Sequence, residues 1–144
     1  MGIIKFITPD ETVVVRHPVL REGKPIDSCI FPGDELPTTF HLGFYEDDEL
    51  LGVVTLLKNN YTEAPAEGFQ LRGMAVLTIA QGKGVGGKLV AKAEEEVKKR
   101  EGTYIWMNAR IKAVPFYAGL NYEVVSDVFD IPKVGAHYTM LKKI

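Results

Sequence analysis

Leu71-Arg72-Gly73-Met74-Ala75-Val76 and, four residues on, Gln81-Gly82-Lys83-Gly84-Val85-Gly86-Gly87-Lys88 are the stretches whose reading decides this fold. The first lies in a strand expected over Gly68 to Thr78, with Gly73 as a candidate bulge or close-approach site. The second ends in a helix expected from Val85 to about Arg100. There Val85, Leu89, Ala93 and Val97 recur every four residues, while Glu94 to Glu96 and Lys98 to Arg100 take the outer face. A glycine-rich turn between strand and helix lets successive backbone N–H groups converge on one point. The helix N-terminus adds unsatisfied donors and a positive dipole end. Such a turn binds anions, most often phosphate, and Lys83 and Lys88 add compensating charge.

Three phosphate-binding patterns overlap here. Gly82, Gly84 and Gly87 satisfy G-x-G-x-x-G, but that fingerprint belongs after the first strand of a βαβ unit, with an acid ending the next strand. Four strands precede this loop, and the strand that follows it ends in Asn108. Gly82 to Lys88 also satisfies G-x-x-x-x-G-K, yet Leu89 stands where Ser or Thr must hold Mg²⁺. Neither nucleotide reading has the chemistry it needs.

Outward from the loop, the chain reads as alternating elements. Ile3 to Ile7 is a strand. Thr8, Pro9 and Glu11 form a capping-box signature for a helix over Pro9 to Leu20, which Pro18 should kink or end. Residues 21–39 read as an ordered loop, long enough to be functional. Thr39 to Tyr45 and Leu50 to Leu57 are strands joined by the charged turn Glu46 to Glu49, the second interrupted at Gly52. Asn59 to Glu67 is a second loop. Thr103 to Asn108 is a buried-looking strand, Ile111 to Ala118 a short helix closed by Gly119, and Tyr122 to Val125 and His137 to Leu141 are final strands with a loop near Pro132 to Gly135. An antiparallel meander followed by strand–helix–strand–helix–strand predicts an α+β fold, with a mixed sheet carrying helices on both faces.

The pattern Gln81-Gly82-Lys83-Gly84-Val85-Gly86 resembles the Q/R-x-x-G-x-G/A motif of the GCN5-related N-acetyltransferase (GNAT) superfamily, and Leu71 to Val76 resembles the strand leading into it. Asn108 and Pro115-Phe116-Tyr117-Ala118-Gly119-Leu120-Asn121-Tyr122 resemble the family's downstream N…A-x-x-F-Y-x-x-G-F segment, with Leu120 in place of the usual Phe and Pro115 early in the helix. The resemblance spans the whole element order. It implies a mostly antiparallel sheet of six to seven strands, splayed between the fourth and fifth, within a single domain over residues 1–144. It also implies an N-acetyltransferase moving an acetyl group from acetyl-CoA directly onto a primary amine of a small molecule or peptide.

Residue by residue, the resemblance implies that backbone groups of Met74, Ala75 and Val76 pair with the pantetheine arm. The loop Gln81, Gly82, Lys83, Gly84, Val85, Gly86, Gly87 and Lys88 holds the pyrophosphate, and Asn108 and Phe116 border the arm. Tyr117 is the general acid for the departing thiolate, a phenol of pKa ~10 being able to donate as sulfur charge develops. The backbone N–H of Val76 is the expected donor to the developing oxyanion. The general base is open among His137, His41, Glu67 and water, imidazole having a pKa close to working pH. Asp34 and Glu35 are candidates for attracting a cationic amine, Glu46 to Glu49 a solvated turn. A CoA-binding sensor or docking module without catalysis is the alternative function.

Composition narrows the class further. Of 144 residues, 46% are hydrophobic and 25% charged, the balance of a globular protein. A formal net charge of −2 gives no basic field for nucleic acid. The one cysteine, Cys29, excludes an intrachain disulfide and a Cys-rich metal site, and no metal is expected. The apolar run at Met1 to Phe6 is too short for a signal peptide, Phe6 departs from a myristoylation motif, and no segment suggests a membrane span. A cytoplasmic protein is expected, its oligomeric state open between monomer and homodimer.

Overall fold

A computed structural model describes residues 2–62 and 66–144. Met1, in the N-terminal reading above, and residues 63–65, within the loop expected over Asn59 to Glu67, lie outside the described residues. Eight strands form one sheet in the order β1-β2-β3-β4-β5-β8-β6, with β7 also paired to β8. In chain order the elements are β1 (Ile3–Ile7), α1 (Pro9–Leu20), β2 (Phe40–Glu46), β3 (Glu49–Lys58), β4 (Gly68–Val76), α2 (Val85–Lys99), β5 (Tyr104–Arg110), α3 (Val114–Ala118), β6 (Glu123–Val124), β7 (Phe129–Ile131) and β8 (Gly135–Lys143).

Every pairing is antiparallel except β4 with β5, which is parallel and confined to Gly68–Tyr104, Phe69–Ile105 and Gln70–Trp106. Beyond Gln70 and Trp106 the two strands have no ladder pairs, so the sheet opens there. Two expectations change. The sheet has eight strands rather than six or seven, because the segment before Pro132 forms the short β7 against Gly135 to His137. The β3 ladder continues through Gly52, which has no side chain because a Cβ there would lie 2.9 Å from Val85 and 3.1 Å from Leu89 of α2.

The capping box forms as read: Glu11 N–H donates to Thr8 Oγ1 at 3.2 Å, and Thr8 N–H donates to Glu11 Oε1 at 2.9 Å. Pro18 neither ends nor shortens α1. It lies in the last turn, where one ladder bond is lost, and Arg21 N–H closes the helix on the Arg16 and His17 carbonyls. The β2–β3 turn takes positive φ at both Asp47 (51°) and Asp48 (64°), the pattern that suits a two-residue hairpin.

The helices cover opposite faces of the sheet. Val85, Leu89, Val90, Ala93 and Val97 of α2 are buried in the larger core with Val54, Leu56, Leu71, Ile105, Met107 and Met140. Val15 of α1 packs with Ile7, Leu50, Val53 and Ala75 in a smaller core. Adjacent residues of a strand point to opposite faces, which is why Val53 and Val54 serve different cores. Among the described residues no helix is long and apolar enough to cross a membrane.

Candidate active site

The opening between β4 and β5 is shaped by backbone before any side chain is considered. Leu77 N–H donates to Leu51 O at 2.8 Å. In an antiparallel ladder bonded and unbonded pairs alternate, so Ala75 faces β3 through its pair with Val53, while Val76 turns its N–H and C=O toward the side that β5 has left. Met74 adjoins a bulge at Gly73, where φ is +63° and the β3–β4 register shifts between Val53 and Thr55. Of the three residues expected to offer backbone to the opening, Val76 does so by geometry, and Ala75 is committed to β3.

At the end of β4 the chain makes a short 3₁₀ turn, Thr78–Ala80, and enters the glycine loop. Gln81 Nε2 donates to Val76 O at 2.9 Å, tying loop to strand. Gly82 (φ 77°) and Gly84 (φ 82°) adopt the left-handed conformation that L-residues avoid. A Cβ at either would meet no atom within 4 Å, so the space beside them is open rather than filled by protein. Gly84 is the N-cap of α2, and no side chain caps that terminus. The first-turn N–H groups at Val85, Gly86 and Gly87 therefore point outward unclaimed, with exposed Lys83 and Lys88 beside them. An uncapped helix end with vacant space at its glycines fits a pyrophosphate.

Phe116 and Tyr117 of α3 adjoin this helix end: a Cβ on Gly86 would lie 3.0 Å from the Phe116 ring. The two rings pack edge-on at 4.9 Å, and Tyr117 packs edge-on against Tyr122 at 6.0 Å. Tyr122 is fixed in turn by its hydroxyl, which donates to Glu94 Oε2 at 2.9 Å, while Lys142 Nζ binds the same carboxylate at 3.1 Å. Gly119 caps α3 with φ −64°, and the left-handed residue is Asn121 at 74°. The C-cap read at the glycine stands, and the left-handed backbone comes two residues later, at an asparagine that tolerates it. Burial pushes the Tyr117 pKa well above the ordinary phenol value. The hydroxyl keeps its proton across the working pH range, so it can donate and cannot act as a base. It makes no hydrogen bond among the described residues, and it is not among their sealed, unpartnered atoms.

The opposite face of the opening, on the α1 side, follows from register. Thr55 bonds to Arg16 of α1, and Arg72 pairs with Thr55, so Arg72 and Gln70 share that face. Gln70 pairs with Trp106, and alternation adds Asn108 and Arg110. Their β8 partners, Thr139 and His137, complete it, with Thr139 Oγ1 donating to Asn108 Oδ1 at 2.9 Å. His137 is buried, and its ring stacks on Phe129 at 6.0 Å. Its Nδ1 lies 2.7 Å from Gly135 O. A carbonyl only accepts, so Nδ1 donates to it, and this bond selects Nε2 as the nitrogen that would act as base. Tyr117 and His137 thus approach from opposite faces of the sheet.

The other candidates meet different fates. His41 has both ring nitrogens engaged, Nδ1 with Thr55 Oγ1 at 2.7 Å and Nε2 with Asp34 O at 3.0 Å, and burial lowers its pKa. Asp34 is buried: Arg16 Nη1 and Nη2 donate to its oxygens at 2.6 and 3.3 Å, and Phe31 N–H donates at 2.7 Å. It is a structural counter-ion, unavailable to a substrate amine. Glu67 ion-pairs with Lys58 at 3.5 Å. Cys29 is buried, its carbonyl accepting from Arg16 at 2.8 Å.

The network of Arg16, Asp34, His41, Thr55 and Arg72 escaped sequence reading, although one signal was present. Arg16 falls on the inward stripe of α1 with Thr12 and Val15, and a buried guanidinium demands a counter-ion. Gly73 is bound to this network, since a Cβ there would lie 3.0 Å from Arg16 Nε. Near the opening, Tyr61 (5.4 Å from the Trp106 ring) and residues Val124, Val125, Ser126 and Asp127 line a cavity of about 600 Å³.

A mixed sheet opened at one parallel junction, with an uncapped glycine-loop helix end on one face and a polar cleft on the other, is the arrangement of an acyltransferase. Residues 34–137 match the acetyltransferase (GNAT) domain family. The uncharacterised N-acetyltransferase YitI of Bacillus subtilis is 31% identical over 144 residues, covering 98% of this chain and 95% of that protein. The chain belongs to the GNAT family of N-acetyltransferases. Solved structures share its fold. An aminoglycoside 6'-N-acetyltransferase complexed with coenzyme A superposes with TM-score 0.78 at 19% identity, covering 98% of this chain and 96% of that one. Escherichia coli ElaA superposes with TM-score 0.78 at 17% identity, covering 99% of both.

Proposed function

We propose that the protein is a single-domain, cytoplasmic, acetyl-CoA-dependent enzyme that acetylates a primary amine of a small molecule or peptide by direct attack. One observation carries this reading: β4 and β5 part after Gln70 and Trp106, and the parting leads from the Val76 backbone to the uncapped loop at Gly82 to Gly87. Acetyl-CoA supplies the activated acyl thioester. The loop amides, with Lys83 and Lys88, hold its pyrophosphate. Val76 N–H serves the growing charge on the acyl oxygen, a role in which one donor is worth about 10²–10³ in rate. Asn108 and Phe116 border the arm.

His137 Nε2, without a partner among the described residues, takes the proton of the attacking amine on the α1 face. Tyr117, fully protonated and aromatic-packed on the α2 face, donates to the leaving sulfur. Base and acid on opposite faces suit a transfer in which acceptor and donor enter from opposite sides of the sheet. Calorimetry with acetyl-CoA, CoA and ATP, followed by thiol-release assays over a panel of amines, amino acids and peptides, tests the reading. ATP binding without CoA binding sinks it. CoA binding without turnover on any amine favours a non-catalytic sensor instead.

A further inference from the structure

We propose that the acceptor carries a carboxylate as well as the amine that is acetylated, and that Arg72 and Arg110 receive it. This rests on the acyl-transfer reading above and names the substrate class for that site. On β4, β5 and β8 the α1 face around the opening carries Gln70, Arg72, Trp106, Asn108, Arg110, His137 and Thr139, two arginines and no acid, with Glu123 of β6 on the same face one strand further out, across from Leu141. The carboxylate nearest Arg72 is Asp34 at 3.6 Å, already held by Arg16 at 2.6 Å. Two guanidinium groups therefore share one buried carboxylate.

Arg72 is not freely hydrated either. Its side chain is 22% exposed, its Nη2 donates to Pro32 O, and its Nε is sealed from solvent without a partner. Burial lowers its pKa, with Asp34 opposing that effect. Asp34, shared with Arg16, and Glu35 supply the negative charge near Arg72, and an entering anion adds charge-assisted hydrogen bonds to a partly buried cation whose closest counter-ion is already held by another. Arg110, two residues past Asn108 and paired in register with His137, is half-buried and forms no ion pair among the described residues. Anion and base are thereby adjacent on β5 and β8, so an acceptor whose carboxylate meets Arg110 brings its amine toward His137. The same charges repel a purely cationic polyamine. Together these favour a zwitterionic acceptor of amino-acid type over a simple amine.

The test uses the full chain with acetyl-CoA and matched acceptor triplets: amino acids, their C-terminal amides and the corresponding decarboxylated amines. The free acids should exceed both partners by at least about tenfold in kcat/KM, the discrimination expected of a charged hydrogen-bonded group. Arg110→Gln, at the strand end, should shrink that preference about ten- to a hundredfold, chiefly through KM. Arg72→Gln should do likewise, and Arg72→Lys should restore part of it. Amides or decarboxylated amines that equal the acids overturn the proposal. So do Gln variants that lower all acceptors alike. Calorimetry of the same acids with the enzyme–CoA complex separates the two readings. Acids that bind through Arg110 without being acetylated keep the anion site and remove the transferase. Acids that neither bind nor react remove the anion site.

Discussion

Gly84 and Gly87 stand three residues apart in the same loop, and the structure assigns them opposite costs. Gly84 holds φ +82° and ψ 7° as the α2 N-cap. An L-residue in that region costs about 1–2 kcal/mol. Gly84→Ala should therefore lower the stability of the ligand-free protein by about that amount, which for a chain of this length is a fall of roughly 2–8 °C in Tm. The methyl group also enters open space beside the first-turn N–H groups, where no protein atom lies within 4 Å. Any relaxation of φ rotates those amides away from a shared point, so CoA affinity should fall at least about tenfold.

Gly87 is helical, its φ is not positive, and its missing Cβ also meets nothing within 4 Å. Replacing a helical glycine with alanine gains about 0.5–1 kcal/mol. Gly87→Ala should raise Tm by roughly 1–4 °C, since it leaves the backbone of the loop in place. Thermal melts of the free proteins and calorimetric titration with CoA read both effects. If Gly84→Ala binds CoA as the parent does, the loop is not the anion cradle. If Gly87→Ala loses stability, the local conformational reasoning is wrong.

Tyr117→Phe should lower kcat by about 10²-fold or more while acetyl-CoA affinity stays within a few-fold, and unchanged turnover would remove the tyrosine as acid. Asp34→Asn leaves the Arg16 guanidinium buried without its counter-ion and should cost about 3–5 kcal/mol in denaturant titration; a loss below ~1 kcal/mol would show that this ion pair does not hold the loop. Arg16 and Phe31 N–H hold the Asp34 carboxyl below its ordinary range despite burial, so its contribution is complete above the unfolded pKa of ~3.9 and is lost as pH falls through the lower folded value. The stability–pH curve of Asp34→Asn should be flatter than the parent's below pH ~4. His41 is also lowered, by burial, so the unfolded chain takes up that proton first, and stability should decline as pH falls below ~6.5. An imidazole resonance for His41 that titrates above 6.5 would contradict this.

Much of the frame was legible because its signals are local. The capping box of α1, the four-residue recurrence in α2 and the glycine loop depend on neighbours within one turn, and each appears where the sequence indicates. The misread points are those at which distant residues overrule local preference. Gly52 reads as a strand breaker, but α2 approaches so closely that only glycine fits within a continuous strand. The tripeptide β7 has too little pattern to be seen without its partner β8. Asp34 looks like a surface acid until α1 and the loop before β2 bring Arg16 against it, across eighteen residues of chain.

The candidate site divides in the same way. Along the chain alone, the glycine loop marks where an anion binds, since the amides that would hold it are consecutive and their convergence is a property of local φ and ψ. The two faces of the opening are assembled instead by strand register. Tertiary structure alone turns Tyr117 to one face and His137 to the other, leaves Nε2 of His137 open while closing both nitrogens of His41, and puts Arg72 and Arg110 on one face. The physical reason is range: a helix cap or glycine turn is decided by bonds across a few residues, whereas the charge balance and proton-bearing atoms of a cleft depend on which distant segments the sheet brings together.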